Sequence, residues 1–298
     1  MNSRVTKVVV PAAGMGTRFL PATKALPKEM LPVVDKPTIQ YVIEEAVSAG
    51  LTNVLMITGR NKNALENHFD RAWELETTLL SKGEIAKLDK VTKSTNLAEI
   101  HYLRQGDPRG LGHAVAKARA HVGEHPFALL LGDIITEPVG RLLVSMIDVA
   151  EQRGGTVIAL AEVDRNDVSA YGIARVEETG DEGIVRIRHL VEKPAPEEAP
   201  SQLAIIGRYI LVPEIFDLLD ETEPGKGNEI QLTDALNVLA EDETVGGPVW
   251  GVILDGDWYD TGDKLAYLKA VVSIASRRDD LGEEFREWLA SFVGANPS

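Results

Sequence analysis

The 298-residue chain contains no cysteine. Disulfide bonds, thiolate metal sites and cysteine nucleophiles are therefore excluded, and the protein's chemistry must use other side chains. The sequence also lacks the G-x-S-x-G pattern of a nucleophile elbow, so a serine hydrolase triad has no support.

Histidine is scarce, with six residues in the chain. Only His121 and His125 have the i, i+4 spacing that places two ring nitrogens on one helix face. Pro126 follows at once, and no acidic third ligand fits on that turn. We therefore do not expect a zinc site.

No apolar run in the chain is long. Residues 8–10 are too few for the apolar core of a signal peptide, and no stretch approaches the roughly 20 residues of a membrane span. The composition, 44% hydrophobic and 26% charged, is that of a globular protein with enough chain for one large α/β domain or two small ones. We expect a cytoplasmic enzyme without a membrane partner.

Basic residues are outnumbered, with 31 Lys and Arg against 46 Asp and Glu and a formal charge of −15. Such a field repels nucleic acid and anionic membranes, so neither is expected as a partner. A local cluster of cations, Arg18, Lys24 and Lys28, stands out against this acidic background.

These cations belong to a segment, residues 8–37, that reads as a binding element. A β-branched run ends at Pro11, and the next five residues carry no large polar side chain: Ala12, Ala13, Gly14, Met15 and Gly16. Small residues at the end of a strand let backbone N–H groups approach a ligand, and fixed positive charge follows them. The pattern predicts a cradle for polyphosphate.

The residues at two motif positions exclude two common phosphate-binding loops. A Walker A loop needs Lys directly after its second glycine, where this chain has Thr17. A dinucleotide fingerprint needs a third glycine where Phe19 stands, which disfavours a dehydrogenase. Taken alone, Gly14 and Gly16 are also compatible with an ordinary turn, and the lysines with a solvated face.

The whole segment PAAGMGTRFLPATKALPKEMLPVVDKP resembles the G-x-G-T-R-x(n)-P-K-E-x-L-P signature of the sugar-nucleotide pyrophosphorylases. Within that family it is most similar to the bacterial UTP–glucose-1-phosphate uridylyltransferases, or UDP-glucose pyrophosphorylases. The resemblance implies a three-layer, Rossmann-like α/β nucleotidyltransferase fold with a mixed, mainly parallel central sheet. It also implies nucleotide contacts from Ala12, Ala13, Gly14 and Gly16, and catalytic roles for Arg18 and Lys28.

Apolar periodicity predicts alternating strands and helices in the first half of the chain. A helix over residues 39–47, ended by Gly50, stands between strands at 8–10 and 53–58, which makes a βαβ unit and a parallel sheet. Residues 61–93 read as helical, residues 104–114 as a loop before a helix at 114–120, and residues 144–149 as a helix ending near Gly154. Further strands are expected at 99–103, 127–131 and 156–163.

After residue 163 the pattern changes to strand after strand. Strands are expected at 171–176, 184–191, 205–212 and 249–254, which favours an antiparallel or mixed extension of the sheet. A short helix starts within 213–219, and the apolar residues Ile230, Leu232 and Leu236 are predicted to face inward from one further helix. Helices over 265–275 and 281–292 complete the chain.

Two loops carry further candidate nucleotide and metal residues. Gln105 offers one donor and one acceptor to the imide edge of uracil or thymine, and Gly110 lets backbone approach a flat base. The family resemblance implies that these two positions hold the base. Asp133 follows the apolar strand at 127–131, where a hard oxygen ligand suits Mg²⁺ bound to a triphosphate; an Asp that caps a turn is the plain alternative.

The second half contains the family's sugar and metal elements. Tyr171-Gly172 and Val191-Glu192-Lys193-Pro194 match its Y-G and V-E-K-P elements. The match implies that Gly172 and Glu192 bind the hexose and that Lys193 neutralises the sugar phosphate as a third catalytic cation. Residues 226–235 resemble the uridylyltransferase element G-x-E-I-Q-L-T-D-A, and the family's W-x-D-x-G motif selects Asp260 as the second metal carboxylate over the nearby Asp255 and Asp257.

The chain is thus expected to form one nucleotidyltransferase domain over residues 1–298. Residues 1–155 are its nucleotide-binding half, 156–262 its sugar-binding half and 263–298 its C-terminal helices. The final helix, with Leu281, Phe285, Leu289 and Phe292 on one face, either packs on the body or meets a second subunit, and the family commonly forms homodimers or homotetramers.

The predicted reaction converts UTP and α-D-glucose 1-phosphate into UDP-glucose and pyrophosphate. The sugar phosphate, already an anion, attacks the UTP α-phosphorus in line, with Mg²⁺ held by Asp133 and Asp260. Two alternatives stay open: a glucose-1-phosphate thymidylyltransferase, and a non-catalytic UDP-sugar-binding protein on the same fold.

Overall fold

The start of the chain forms the βαβ unit that its apolar pattern predicts. The structure, a computed structural model, describes residues 4–295, with only the backbone at Lys226. Its first elements are β1 (Lys7–Ala12), β2 (Pro32–Val33), β3 (Lys36–Pro37), α1 (Thr38–Ser48) and β4 (Asn53–Thr58). β1 and β4 are parallel, with Val8 opposite Val54. Gly50 takes a φ of +81°, which ends α1 as expected.

The charged stretch after β4 is helical, as predicted. It consists of α2 (Asn63–Phe69), α3 (Trp73–Ser81) and α4 (Ile85–Thr95). Strand β5 (Glu99–Arg104) follows and pairs in parallel with β4.

The loop predicted over residues 104–114 is shorter than expected. The next elements are α5 (Leu111–Ala116), α6 (Arg119–Val122), β6 (Phe127–Leu130), β7 (Ile134–Glu137) and α7 (Arg141–Arg153). Helix α5 begins at Leu111 because Gly110, with a φ of +97°, turns the chain into it. A Cβ at Gly110 would lie 2.8 Å from the carbonyl oxygen of Ile230, so only glycine fits this close approach.

The second half is mostly strands, as predicted. In order it contains β8 (Thr156–Glu162), β9 (Gly172–Glu178), β10 (Ile184–Glu192), β11 (Leu203–Leu211), α8 (Ile215–Glu221), α9 (Leu232–Glu241), β12 (Val249–Ile253), β13 (Asp257–Asp260), α10 (Lys264–Arg277) and α11 (Gly282–Ala295).

In the described part of the chain, nine strands form one mixed sheet in the order β5-β4-β1-β6-β11-β8-β12-β10-β9. The strands from β5 to β6 are parallel to one another, and β12 is parallel to β8. β11 is antiparallel to both β6 and β8, and β10 is antiparallel to β12 and β9. The mixed sheet expected from the sequence is confirmed, with parallel pairing prevailing in its first half.

Helices cover both faces of the sheet. Val8 and Val10 of β1 pack with α1 and α7 in one core, which includes Ile43 and Met146. Val9 points to the other face, where α5, α8 and α9 supply Val115, Phe216 and Leu236. Because successive side chains of a strand point to opposite faces, β1 is buried on both sides, and the expected three-layer α/β fold is confirmed.

The two C-terminal helices differ in how they are buried. Helix α10 turns Ala270 and Ile274 inward, whereas Trp288 and Phe292 of α11 are 54% and 52% exposed. Phe285 stacks on Trp288 and Trp288 on Phe292, with ring centroids 5.7 and 5.2 Å apart. Among residues 4–295, no helix is both long and apolar enough to cross a bilayer.

Candidate active site

A cleft of about 420 Å³ lies at the carboxyl ends of β1 and β6, where sequence reasoning places a ligand. Residues from distant parts of the chain line it. Those predicted from the sequence are Gly14, Gly16, Arg18, Lys28, Asp133, Gly172, Glu192, Lys193 and Asp260. The structure therefore brings both halves of the predicted site to one place.

Residues 13–16, the phosphate loop, connect β1 to a 3₁₀ turn over Thr17–Phe19. Gly16 has a φ of +65°, and a Cβ there would lie 3.0 Å from Cβ of Lys28. The Thr23 hydroxyl donates to the carbonyl oxygen of Gly16 at 2.6 Å, which fixes the loop's exit. Small residues thus let the Lys28 side chain lie across the loop. Ala12, by contrast, is buried as the last residue of β1.

Lys28 connects the phosphate loop to the predicted metal carboxylate. Its Nζ lies 2.5 Å from Oδ2 of Asp133. Burial alone lowers the pKa of Lys28, but the negative charges of Asp133 and Glu29 outweigh it and raise that pKa above its ordinary value. Burial likewise favours the neutral form of Asp133, yet Lys28 holds the pKa of Asp133 below its usual range. The pair is therefore ionised.

Strand pairing carries Asp260 to Asp133. β13 is antiparallel to β7, with Asp260 opposite Ile134, the residue after Asp133. Thr261 also donates to the carbonyl oxygen of Asp133 from both its N–H and its hydroxyl, each at 2.8 Å. A Cβ at Gly262 would lie 2.8 Å from Oδ2 of Asp133 and 2.9 Å from Oδ1 of Asp260, so both carboxylates face this glycine.

The donor set fits a hard divalent cation. Burial and the charge of Asp133 raise the pKa of Asp260, so the two carboxylates repel each other and a cation between them would relieve that repulsion. No group of three or more His, Asp or Glu side chains able to hold a metal occurs within residues 4–295. Two carboxylates leave positions for phosphate oxygens, as Mg²⁺ sites that act on nucleotides do.

Arg18 lies at the mouth of the cleft. Its Nη1 is 3.8 Å from Oδ2 of Asp260, and its side chain is 66% exposed. An exposed guanidinium beside a carboxylate gains little in stability, so its position is better explained by an anionic ligand.

The predicted sugar residues meet where β9 and β10 pair. Gly172 starts β9 opposite Glu192, the last residue of β10, and a Cβ on Gly172 would lie 3.3 Å from Oε2 of Glu192. Lys193, with a φ of +47°, donates from Nζ to Oε1 of Glu192 at 2.8 Å. Glycine, acid and lysine thus form one polar wall of the cleft.

Sequence reasoning missed the polar residues that face this wall. Glu229, Gln231 and Thr233 line the cleft, and the Thr233 hydroxyl donates to Oε2 of Glu192 at 2.7 Å. The expectation that Ile230 lies on a helix was wrong, because Glu229 and Gln231 are extended and α9 begins only at Leu232. Polar residues alternate with apolar ones from Glu229 to Thr233. This alternation is the sequence signal for an extended segment before α9.

Gln105 is placed differently from the prediction that both ends of its amide read a base. Its Nε2 donates to the carbonyl oxygen of Gly110 at 3.0 Å and lies 3.2 Å from Nδ1 of His113. Because a carbonyl can only accept, this bond fixes the amide orientation, and Oε1 has no hydrogen-bond partner in the described part of the chain. Burial and the charge of Arg109 lower the pKa of His113, so a neutral ring can accept at Nδ1.

A second cavity of about 850 Å³ adjoins the first. Gly14, Met15 and Thr17 line both, and Ala13, Lys24 and Gln105 line only the second. Gly110 packs against residues 229–230, so a residue with a side chain does not fit at position 110. The phosphate loop thus lies between a cavity that holds Gln105 and a cleft that holds the carboxylates and the sugar residues.

Known proteins resemble this chain over nearly its whole length. The nucleotidyl transferase family model matches residues 7–277. A UTP–glucose-1-phosphate uridylyltransferase, YngB of Bacillus subtilis (strain 168), is 47% identical over 294 residues, which are 98% of this chain and 97% of that protein. A solved UDP-glucose pyrophosphorylase complexed with UDP-glucose superposes with a TM-score of 0.82 at 41% identity, covering 92% of this chain and 100% of that one. A UTP-bound UGPase from Acinetobacter baumannii gives a TM-score of 0.86 at 39% identity, covering 96% and 99%.

Proposed function

The chain belongs to the nucleotidyl transferase family, and we infer that it is a UTP–glucose-1-phosphate uridylyltransferase. It transfers the uridylyl group of UTP to α-D-glucose 1-phosphate and releases UDP-glucose and pyrophosphate. One observation carries the assignment: Lys28 and Arg18 of the first half meet Asp133 and Asp260 in the cleft that also contains Glu192 and Lys193.

The geometry suits a direct displacement. Glucose 1-phosphate is an anion at neutral pH and attacks without a general base, so the barrier is repulsion between two phosphates and their alignment. Lys28 lies across the phosphate loop and Arg18 at the mouth, which are positions from which to stabilise a triphosphate. To reach it, Lys28 exchanges its bond to Asp133 for one to a phosphate oxygen, while remaining charged.

We propose that Mg²⁺ is held by Asp133 and Asp260. When bound, it supplies positive charge that neutralises phosphate oxygens and brings them together. Both carboxylates face Gly262, so they can bind one ion together. Thr261 holds the two segments that carry them side by side through its two hydrogen bonds to the Asp133 carbonyl.

The wall formed by β9 and β10 is proposed to bind the hexose. Glu192 accepts from sugar hydroxyls, oriented by the Thr233 hydroxyl, and Gly172 lets the ring lie close to the backbone. Lys193 leaves Glu192 to contact the sugar phosphate. The nucleotide base lies in the adjoining cavity, where the free Oε1 of Gln105 accepts from the imide N–H of uracil.

The proposed halves follow from this arrangement. Residues 1–155 supply the phosphate loop and Gln105, and residues 156–262 supply the sugar wall and Asp260. Within the C-terminal part, residues 263–298, helices α10 and α11 lie outside the cleft. Residues 1–3 and 296–298 lie outside the described range. Consumption of UTP is consistent with a cytoplasmic enzyme.

We further propose that the protein is a homodimer or homotetramer. The aromatic stack of Phe285, Trp288 and Phe292 on α11 is about half exposed at its last two rings, as an interface between copies would be. Light scattering on the protein and on Trp288→Glu tests this proposal. A smaller mass for the variant supports α11 as the interface, and a monomeric parent protein contradicts the oligomer.

A nucleotide panel tests the function directly. Pyrophosphate release is measured with glucose 1-phosphate, Mg²⁺ and each of UTP, dTTP, CTP and ATP. We expect UTP to give the highest kcat/KM, with UDP-glucose formed in step with pyrophosphate. A preference for dTTP would assign thymidylyl transfer instead, and tight UDP-glucose binding without turnover would indicate a binding protein.

A further inference from the structure

A buried ion pair lies directly beneath the phosphate loop. Nζ of Lys62 donates to Oε2 of Glu29 at 2.7 Å, and the two side chains are only 6% and 1% exposed. Nothing in the predicted mechanism uses either residue. Since burying two charges costs desolvation free energy that their attraction need not recover, the pair is poorly explained by stability alone.

Lys62 makes a second bond that reaches the loop itself. Its Nζ donates to the carbonyl oxygen of Gly14 at 2.8 Å. The turn after β4 lies against the loop, because a Cβ on Gly59 would be 3.1 Å from the carbonyl oxygen of Ala13. Asn61, with a φ of +61°, turns the chain so that Lys62 enters beneath the loop.

This bond determines which way the next amide faces. In a planar trans peptide the C=O and the following N–H point in opposite directions. With the Gly14 carbonyl held by a buried ammonium, the Met15 N–H points away from the interior. It has no hydrogen-bond partner within residues 4–295, and Met15 lines both the cleft and the adjoining cavity.

Glu29, the partner of Lys62, also contacts the loop that carries Asp133. Its side chain lies under the turn before Asp133, since a Cβ on Gly132 would be 3.4 Å from Cγ of Glu29. Its charge also contributes to the raised pKa of Lys28. Removing Glu29 alone would therefore change the charge near Lys28 as well as the support of Lys62.

We propose that Lys62 is a positioning residue for the nucleotide. By holding the Gly14 carbonyl inward it aims the Met15 N–H at an oxygen of the UTP triphosphate, and Glu29 keeps the buried ammonium in place. The inference rests on the proposed function, because it assigns the anion that this amide receives.

The experiment separates positioning from stability by replacing the whole pair. Lys62→Met combined with Glu29→Leu leaves no buried charge, and apolar replacement of both partners of a buried pair is often neutral for stability. Lys62→Gln in the same Glu29→Leu background keeps an N–H donor at position 62. These two double variants share the loss of Glu29 and differ in whether Gly14 has a donor.

We expect the Met variant to raise KM for UTP by about tenfold to a hundredfold, the size of losing one hydrogen bond to a charged group. KM for glucose 1-phosphate should stay within about twofold, and the Gln variant should recover part of the UTP effect. Met146→Ala, a buried change in α7 away from the cleft, provides the control: it lowers Tm without raising KM for UTP.

Equal KM values for UTP in the Met and Gln variants, or equal increases in both substrates' KM values, would overturn the proposal. If the Met variant does not fold, equilibrium UTP binding to the Gln variant and to Glu29→Leu decides. Both proteins lack Glu29, so its effect on Lys28 cancels in the comparison. Weaker binding by the Gln variant, whose shorter side chain holds the Gly14 carbonyl less well, supports the proposal, and equal affinity of the two proteins overturns it. Failure of the proposed function is a different outcome, since then the parent protein would show no turnover of UTP and glucose 1-phosphate.

Discussion

Lys28 is the side chain that contacts both the phosphate loop and Asp133. Its Nζ is 2.5 Å from Asp133, and its Cβ would be 3.0 Å from a Cβ at Gly16. We predict that Lys28→Ala lowers kcat about 100- to 1,000-fold, the loss expected for one preorganised charge. The measurement is steady-state pyrophosphate release. Lys117→Ala, an exposed lysine after α5, should leave kcat unchanged, and unchanged kcat in folded Lys28→Ala would remove Lys28 from the mechanism.

Asp133 and Asp260 give the metal dependence a testable form. Asp133→Asn removes one of two carboxylates that face Gly262, so we expect EDTA-sensitive activity in the parent enzyme and no Mg²⁺-dependent turnover in the variant. The check is a Mg²⁺ titration of activity for both proteins. A normal titration curve for Asp133→Asn would contradict the metal assignment.

The motifs in the sequence were sufficient to predict which charged residues form the site. Arg18, Lys28, Asp133 and Asp260 are predicted to converge, and the structure brings them together. The sequence does not reveal that Lys28 and Lys193 each form an ion pair with a carboxylate, because those pairs depend on side-chain placement in three dimensions. For the same reason Lys62 and Glu29 escaped notice, since they touch only through the fold.

At the scale of elements, one arginine joins a helix, a strand and the loop of Asp133. Arg208 of β11 is fully buried and bonds both carboxylate oxygens of Glu45 in α1. It also donates to the carbonyl oxygens of Leu131 and Ile134, on either side of Gly132 and Asp133. This clamp fixes the ends of the turn that presents the carboxylate.

We predict that Arg208→Met lowers the free energy of unfolding by about 3–5 kcal/mol, because it leaves Glu45 buried and unpaired. Adding Glu45→Leu should recover most of that loss in urea unfolding, yet the double variant should still need more Mg²⁺ for half-maximal activity. A single variant that loses less than about 1 kcal/mol would contradict the clamp.

Element positions were largely predictable because apolar periodicity decides them. The strand at β4 and the helix at α1 follow directly from their spacing. The two misplaced starts, at α5 and α9, have a tertiary cause: the N–H of Ile230 donates to the carbonyl oxygen of Arg109, and the N–H of Gly112 donates to that of Ile230. Those long-range bonds fix both segments, and helical spacing of apolar residues does not reveal them.

For the whole molecule, buried tyrosines predict sensitivity to alkali. Burial first, and nearby carboxylates second, raise the pKa values of Tyr41 and Tyr171 to about 12. Burial also raises the pKa of Tyr209, which is buried beside the cleft. An unfolded chain ionises its tyrosines near pH 10, so this stability is complete below about pH 10 and is lost as pH rises to about 12 and beyond. Urea midpoints between pH 9 and 11.5 should fall, and less steeply for Tyr209→Phe. An unchanged slope in that variant would contradict the assignment of Tyr209.

The molecule as a whole brings two half-sites together across one sheet, and it offers cations and carboxylates there for a direct transfer between two phosphates. A single in-line displacement inverts the configuration at the attacked phosphorus. The most direct measurement is the stereochemistry of UDP-glucose made from one diastereomer of UTP with sulfur on the α-phosphorus. We predict inversion. Retention would require two displacements through a uridylylated enzyme and would contradict direct attack by the sugar phosphate.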